Sequence, residues 1–211
     1  MLTLEQARSW YPHSDAVHGY DHVRRVYFMA EKLALIEGAD LEIVRAAALL
    51  HDVEGSEPGG ENRPNHHHQS ADFAAEVLHA EGWDEGRIAA VQHCIRAHRF
   101  RGDGEAPQTL EAKVLFDADK LDVLGAIGTA RTIAYAVIAG TPIYEQPSRH
   151  FLETGKEIPG EQHSAYHEYL FKLRRVKDRM HTESARALAE ERHAAMVAYF
   201  EQLDAEMRGE R

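Results

Sequence analysis

Residues 45–52 read Arg45-Ala46-Ala47-Ala48-Leu49-Leu50-His51-Asp52, an apolar run that ends in an imidazole beside a carboxylate. Alanine and leucine have the highest helix propensities, so this run predicts a buried helix. A buried carboxylate costs free energy unless a cation, a hydrogen-bond network or water compensates its charge. We therefore interpret the run as a core helix with two metal-ligating side chains at its end. The structural alternative is a satisfied core histidine at His51 and a capping or salt-bridging role for Asp52.

Further side chains of metal-ligating type lie before and after this run. His18 and His22 are four residues apart, a spacing that brings both rings to one face of a helix, although a chain with 15 histidines contains several such pairs. The stretch around Asp117, Asp119 and Lys120 places two acids and a base at a helix junction between apolar residues. A carboxylate there can bind a metal while the lysine offers charge to a phosphate; solvated helix-end charges are the alternative. We hypothesise that these groups converge on one metal site, together with His93 and His98.

The hydrophobic periodicity predicts an all-α fold, a single-domain helical bundle. Almost every periodic segment repeats at about 3.6 residues, and nothing longer than a few residues alternates as a strand does. Clusters of glycine and proline predict loops at Glu54–Pro64 and Gly140–Gly160, and a polar loop follows at Arg99–Pro107. The predicted helices are Leu2–Ser9, Asp21–Gly38 with Asp21 as N-cap, Asp40–Val53, one from His66, Asp84–His98, Thr109–Asp119, Leu121–Ala139, Glu161–Met180 and Thr182–Met207.

Composition limits the classes of function. The chain has 211 residues, of which 44% are hydrophobic and 28% are charged, as in ordinary globular proteins. A formal charge of −11 argues against stable binding to nucleic acid, whose phosphates require a positive surface. The single cysteine, Cys94, excludes an internal disulfide and is expected to be a small buried apolar residue. No signal-like or membrane-spanning run occurs, so we expect a cytoplasmic protein without a membrane partner; a homodimer stays open.

The pattern His22 … His51-Asp52 … Asp119 resembles the H…HD…D signature of the HD superfamily of metal-dependent phosphohydrolases. The flanking words are similar to its small bacterial stand-alone branch: His18-Gly-Tyr-Asp-His22-Val-Arg-Arg-Val, Ala48-Leu-Leu-His-Asp-Val, Glu111-Ala-Lys-Val-Leu-Phe-Asp-Ala-Asp-Lys-Leu and Leu124-Gly-Ala-Ile-Gly-Thr-Ala-Arg. The resemblance implies one HD-type helical domain over residues 1–211. Its metal-binding core covers about residues 15–135, and a helical tail covers about residues 161–207.

The resemblance also implies roles for individual residues. His22, His51, Asp52 and Asp119 are expected to bind the metal, Asp119 being preferred because it precedes a basic residue, Lys120. Asp117 would then be a neighbour of the ligands or a substrate contact, and Lys120 would bind the phosphate of the substrate. The pocket would be lined by His18, His93 and His98, which can bind phosphate oxygens or move protons. Because other branches use extra histidines for a second metal, a binuclear site with His93 and His98 stays open.

The resemblance implies hydrolysis of a small phosphorylated substrate. The reaction it favours is cleavage of a (deoxy)nucleoside triphosphate to the monophosphate and diphosphate. Nucleotidase or phosphodiesterase activity of the same family is the nearest alternative; a non-hydrolytic HD-type oxygenase and a regulatory module that kept its metal are the others. The mixed nitrogen and oxygen ligand set favours manganese, iron, cobalt, nickel or zinc over magnesium. Val53-Glu54-Gly55 lacks the Glu-Asp pair that often follows the HD motif in hydrolases of guanosine tetraphosphate, which disfavours that substrate.

Overall fold

A computed structural model of the chain describes residues 2–11, 19–54, 65–99 and 104–211. Within these ranges the ordered elements are α-helices and one 3₁₀ helix, without a strand, so the predicted all-α class is confirmed. The elements are α1 (Leu4–Arg8), α2 (Tyr20–Glu37), α3 (Leu41–Leu50), α4 (His66–Ala80), α5 (Glu85–Ala97), α6 (Leu110–Leu121), α7 (Gly125–Ile138), α8 (Arg149–Thr154), α9 (Ala165–Phe171), a 3₁₀ helix (Leu173–Arg179) and α10 (Glu183–Met207).

The chain divides into two compact units. The first contains the residues up to Asp119 together with the short segment His181–Ala185, and the second contains Lys120–Met180 with Arg186–Arg211. The first unit is therefore discontinuous in sequence, because the chain returns to it for five residues before α10 continues in the second unit. The single-domain boundaries at residues 1 and 211 stay a prediction.

Helix α3 forms the centre of the first unit, as its apolar sequence predicts. It packs against α2, α4 and α5, and contacts α1. All of its residues from Ala46 to Leu50 are buried. Its N-terminus is capped by Asp40, whose Oδ1 accepts hydrogen bonds from the backbone N–H groups of Glu42 (2.9 Å) and Ile43 (3.2 Å). The preceding helix α2 ends at Gly38, which has a φ of +80°. These two boundaries fix where α3 begins, and the residues after its C-terminal end, His51 and Asp52, are buried.

In the second unit, glycines allow α7 to approach α10 closely. A Cβ atom on Gly128 would lie 2.1 Å from the Val123 carbonyl oxygen and 3.0 Å from Met196 Cε, so only glycine fits. Gly125, with a φ of +69°, lies similarly against Arg192 of α10. These two glycines are buried, whereas the neighbouring small residues Ala126 and Ala130 are exposed.

Several predicted boundaries differ from those in the structure. Helix α2 begins at Tyr20 after Gly19, not at Asp21, and α7 begins at Gly125 rather than Leu121. The predicted helix Glu161–Met180 consists of α9 and the 3₁₀ helix, and α8 lies inside the predicted loop 140–160. The Glu161 carboxylate accepts hydrogen bonds from the backbone N–H groups of Ser148 (2.7 Å) and Ile158 (3.0 Å), which closes residues 148–161 into a loop that contains α8.

In the described ranges, no single helix combines the length and the apolar character required to cross a membrane. One bent pair, Leu110–Leu121 with Gly125–Ile138, meets the length and composition criteria when its two helices are taken together.

Candidate metal site

Three helices of the first unit bring four predicted ligands to one place. His22 lies in the first turn of α2, His51 and Asp52 follow the last residue of α3, and Asp119 lies near the end of α6. All four are buried, with exposed fractions of 2%, 0%, 6% and 9% in that order. The burial of four ionisable side chains at one point costs free energy, which a bound cation would compensate.

The distances define a first cluster. His22 Nε2 lies 3.4 Å from His51 Nε2, 3.4 Å from Asp119 Oδ1 and 3.8 Å from Asp52 Oδ2. His51 Nε2 lies 3.7 Å from the same Asp52 oxygen. Ligand atoms of His22, His51 and Asp119 lie within 4.8 Å of one another, an arrangement that can hold a metal ion.

The ring of His51 is oriented by a backbone hydrogen bond. Its Nδ1 lies 2.9 Å from the carbonyl oxygen of Ala48, and because a carbonyl only accepts, Nδ1 carries the proton and donates. The lone pair of Nε2 then faces the cluster, which is the arrangement usual for metal-binding histidines. Burial lowers the pKa of His51 to about 4, so the ring is neutral near pH 7. A neutral imidazole with a fixed tautomer fits a divalent ion as its partner.

A second cluster shares Asp52 with the first. The other carboxylate oxygen, Asp52 Oδ1, lies 3.3 Å from His98 Nε2 and 3.4 Å from His66 Nε2. His98 is oriented like His51, because its Nδ1 donates to the Ile95 carbonyl oxygen at 2.5 Å. Burial alone would raise the pKa of Asp52, but the neighbouring His51, His98 and His66 hold it well below its usual value. Asp52 is therefore an ionised carboxylate between two histidine groups, and the second group can also hold a metal ion.

Two predicted pocket residues lie elsewhere. His93 contacts the Glu105 carboxylate through Nδ1, and its Nε2 accepts a hydrogen bond from the backbone N–H of Gln108 at 3.1 Å. It therefore holds the segment before α6 rather than lining the clusters. His93 and His98 are five residues apart, which separates them by about 140° around a helix, so only one of them can face a given point.

Asp117 is also directed away from the clusters. Its Oδ2 accepts hydrogen bonds from the backbone N–H (2.7 Å) and the hydroxyl (2.7 Å) of Thr182, and its Oδ1 accepts one from the N–H of His181 (2.9 Å). Burial raises the pKa of this carboxyl, while those donors oppose the rise. Asp117 thus anchors the returning segment His181–Ala185, and its role as a neighbour of the ligands or a substrate contact stays a prediction. The helical spacing explains this difference, because two residues of a helix that are two positions apart, here Asp117 and Asp119, point to nearly opposite sides of it.

The remaining predicted residues are Lys120 and His18. Lys120 follows Asp119 in α6 and is buried, with 8% of its surface exposed. Its contact with phosphate stays a prediction. His18 lies outside the described residues.

His66 belongs to the second cluster, although the sequence analysis did not assign it to the site. His66 belongs to a run of three histidines, 66–68, and the composition of this run does not indicate which of its rings faces the interior. His66 lies four residues before Ser70 and eight before Ala74, both buried residues of α4. This spacing continues the inner face of the helix to His66 and is the signal that could have identified it.

Comparison with known proteins agrees with the fold and identifies the family. The HD domain family model matches residues 19–124, half of the chain. The Bacillus subtilis protein YpgQ is 34% identical over 97% of this chain and 94% of its own length. The crystal structure of YpgQ in complex with ADP has a TM-score of 0.74 and 31% identity, covering 99% of this chain and 100% of that one. An HD-superfamily hydrolase from Bacillus thuringiensis has a TM-score of 0.70 and 30% identity, covering 97% and 96%. The chain therefore belongs to the HD superfamily of phosphohydrolases.

Proposed function

We propose that this protein is a metal-dependent phosphohydrolase that cleaves nucleotides, converting (deoxy)nucleoside triphosphates to monophosphates and diphosphate. The observation that carries the proposal is the convergence of His22, His51, Asp52 and Asp119 in the first unit. In this proposal the four side chains bind one divalent ion. Manganese, iron, cobalt, nickel or zinc suits this set of imidazole and carboxylate ligands better than magnesium does.

The protein contributes orientation and charge to this chemistry. A divalent ion bound there would lower the pKa of water, offset phosphate charge and orient the attack. The Ala48 and Ile95 carbonyl groups hold the rings of His51 and His98 by their Nδ1 protons. Asp52, between the two histidine groups, supplies a fixed negative charge that keeps the site attractive to cations. Burial of these groups strengthens each electrostatic interaction by excluding water.

The choice of a nucleotide substrate is supported by a relative. The YpgQ structure is a complex with ADP, and the present chain matches it along its whole length. ADP consists of a base, a sugar and a phosphoanhydride, which are also the components of a nucleoside triphosphate.

The proposed function is tested by a screen of divalent metals against nucleotides in which every product is identified. We expect turnover with manganese or cobalt and release of diphosphate together with the monophosphate. Release of single phosphate would identify the enzyme as a nucleotidase. Hydrolysis of a phosphodiester would identify it as a phosphodiesterase. A chain that binds metal but turns over no phosphorylated compound would refute the hydrolase proposal and favour a regulatory module.

A second candidate function is favoured by the shared position of Asp52. Because its two oxygens face different histidine groups, a second ion could be held by Asp52, His66 and His98. A pair of irons is the arrangement in HD-type proteins that activate dioxygen. Two irons per chain and an oxygen-dependent product would support an oxygenase, whereas phosphate or diphosphate release without oxygen consumption would exclude it.

The placement of the histidines leads to a paired prediction. His98→Ala removes a ring beside Asp52 and is expected to lower hydrolysis about 10- to 100-fold, the usual effect of disturbing the surroundings of a metal ligand. His93→Ala removes a ring of the same helix that bonds Glu105 and Gln108, and is expected to change hydrolysis less than about twofold. Steady-state kinetics on both variants checks this; an equal loss in both would contradict the placement.

A further inference from the structure

The short segment that carries His51 and Asp52 lies beyond the end of α3 and belongs to neither a helix nor a strand. Its position therefore depends on individual hydrogen bonds rather than on a regular backbone pattern. The four carbonyl groups at a helix C-terminus lack partners within the helix and need outside donors. Two side chains from other elements bind the backbone on either side of the His51-Asp52 pair.

Tyr11 binds the backbone before the pair. Its hydroxyl donates to the Leu49 carbonyl oxygen at 2.9 Å, and the side chain is buried, with 4% of the residue exposed. Burial, and then the charge of nearby Asp52, raise the pKa of this tyrosine well above its usual value. The hydroxyl thus keeps its proton and supplies the end of α3 with a donor close to Asp52.

Ser70 binds the backbone after the pair. This fully buried residue of α4 accepts a hydrogen bond through Oγ from the N–H of Glu54 at 3.1 Å. Ser70 lies one helical turn after His66, whose ring faces Asp52. The same helix therefore presents a ring to the Asp52 carboxylate and fastens the backbone two residues beyond it.

We propose that Tyr11 and Ser70 are positioning residues for the metal site, because their hydrogen bonds at Leu49 and Glu54 fix the segment between them and hence the Asp52 carboxylate. This inference rests on the proposed metal-binding function. Displacement of a reacting or ligating group by about 1 Å costs about 10²-fold in activity, and neighbours of metal ligands affect metal affinity 10- to 100-fold. Neither hydroxyl needs to touch metal or substrate for this effect.

The test uses Tyr11→Phe and Ser70→Ala in the full chain, each of which removes one hydrogen-bonding oxygen. We expect each to weaken Co²⁺ binding at least about 10-fold in calorimetric titration and to change the visible absorption spectrum of the bound cobalt, which reports ligand geometry. Matched controls are Tyr144→Phe, which loses a hydroxyl bonded to Asp204, and Ser148→Ala, which loses a hydroxyl bonded to Glu161. Both controls lie in the second unit and should keep the wild-type cobalt affinity and spectrum.

The outcomes separate positioning from simple stabilisation. Unchanged cobalt affinity and spectrum in both variants, whatever their melting temperatures, would overturn the proposal. A loss of affinity equal to that of the controls would do the same. Nucleotide turnover is measured in parallel on the wild-type chain: if it binds cobalt but hydrolyses no nucleotide, the proposed function fails while the positioning effect is still decided by affinity. If it binds no divalent ion, the positioning proposal fails too.

Discussion

Asp52→Ala is expected to abolish both metal binding and hydrolysis. Each oxygen of this carboxylate faces a different histidine group, so its removal takes a ligand from the first cluster and from the second at once. A metal ion contributes several kcal/mol to charge stabilisation at a reacting phosphate, which corresponds to a loss of at least about 10³-fold in rate. Metal content per chain and turnover of the best nucleotide from the screen measure the two effects.

Asp84→Ala serves as the matched control for that experiment. Asp84 is an aspartate of the same unit that caps α5 through a 3.0 Å hydrogen bond from the Arg87 N–H. Its loss is expected to cost about 1 kcal/mol of stability and to leave metal content unchanged. Retention of metal and full turnover by the Asp52 variant would refute the metal assignment, and His51→Ala should give the same result as Asp52→Ala.

Asp117→Ala is expected to have the largest effect on stability. The variant leaves the N–H groups of His181 and Thr182 and the Thr182 hydroxyl without their shared acceptor, at a site where Asp117 is fully buried. Each unsatisfied buried donor costs about 1–3 kcal/mol, and such losses are not additive, so we expect a decrease of about 3 kcal/mol in the free energy of unfolding. Urea unfolding measures it, and hydrogen exchange at residues 181 and 182 locates it.

Asp40→Ala provides the comparison for a more exposed cap. Asp40 also accepts two backbone hydrogen bonds, from Glu42 and Ile43, but at a half-buried helix N-terminus. Its replacement should cost about 1 kcal/mol, because water can satisfy the freed N–H groups. A cost for Asp117→Ala no greater than that of the Asp40 variant would show that the anchor is weaker than its geometry indicates.

The sequence predicted the elements that hold the site better than it predicted their ends. The all-α class followed from the 3.6-residue period, and α3 was identifiable because its inner and outer faces are both apolar. The N-cap at Asp40 and the stop at Gly38 were also predictable, since each depends on one residue and its own backbone. The start of the predicted helix Glu161–Met180 was not, because the Glu161 carboxylate instead binds the backbone N–H and the hydroxyl of Ser148, 13 residues earlier in the chain.

Site residues that belong to a recognisable sequence motif were predictable. Residues that reach the site only through the fold were harder to predict. The structure brings together His22, His51, Asp52 and Asp119, which carried the family resemblance. The structure gives His93 and His98 different partners, although both lie in α5 or directly after it. Helical angle separates them: His98 lies four residues after buried Cys94 and seven after buried Val91, so it continues the inner face, and His93 does not.

The return of residues 181–185 to the first unit has a consequence for synthesis. Every proposed ligand has been synthesised once Asp119 has been translated, but the donors that hold Asp117, two residues earlier in α6, belong to His181 and Thr182. The nascent chain must therefore add more than sixty residues of the second unit before α6 acquires this anchor. Assembly of the first unit is consequently completed late in translation, and a stalled chain ending before residue 181 would carry all four ligands while α6, which bears Asp119, is not yet fastened.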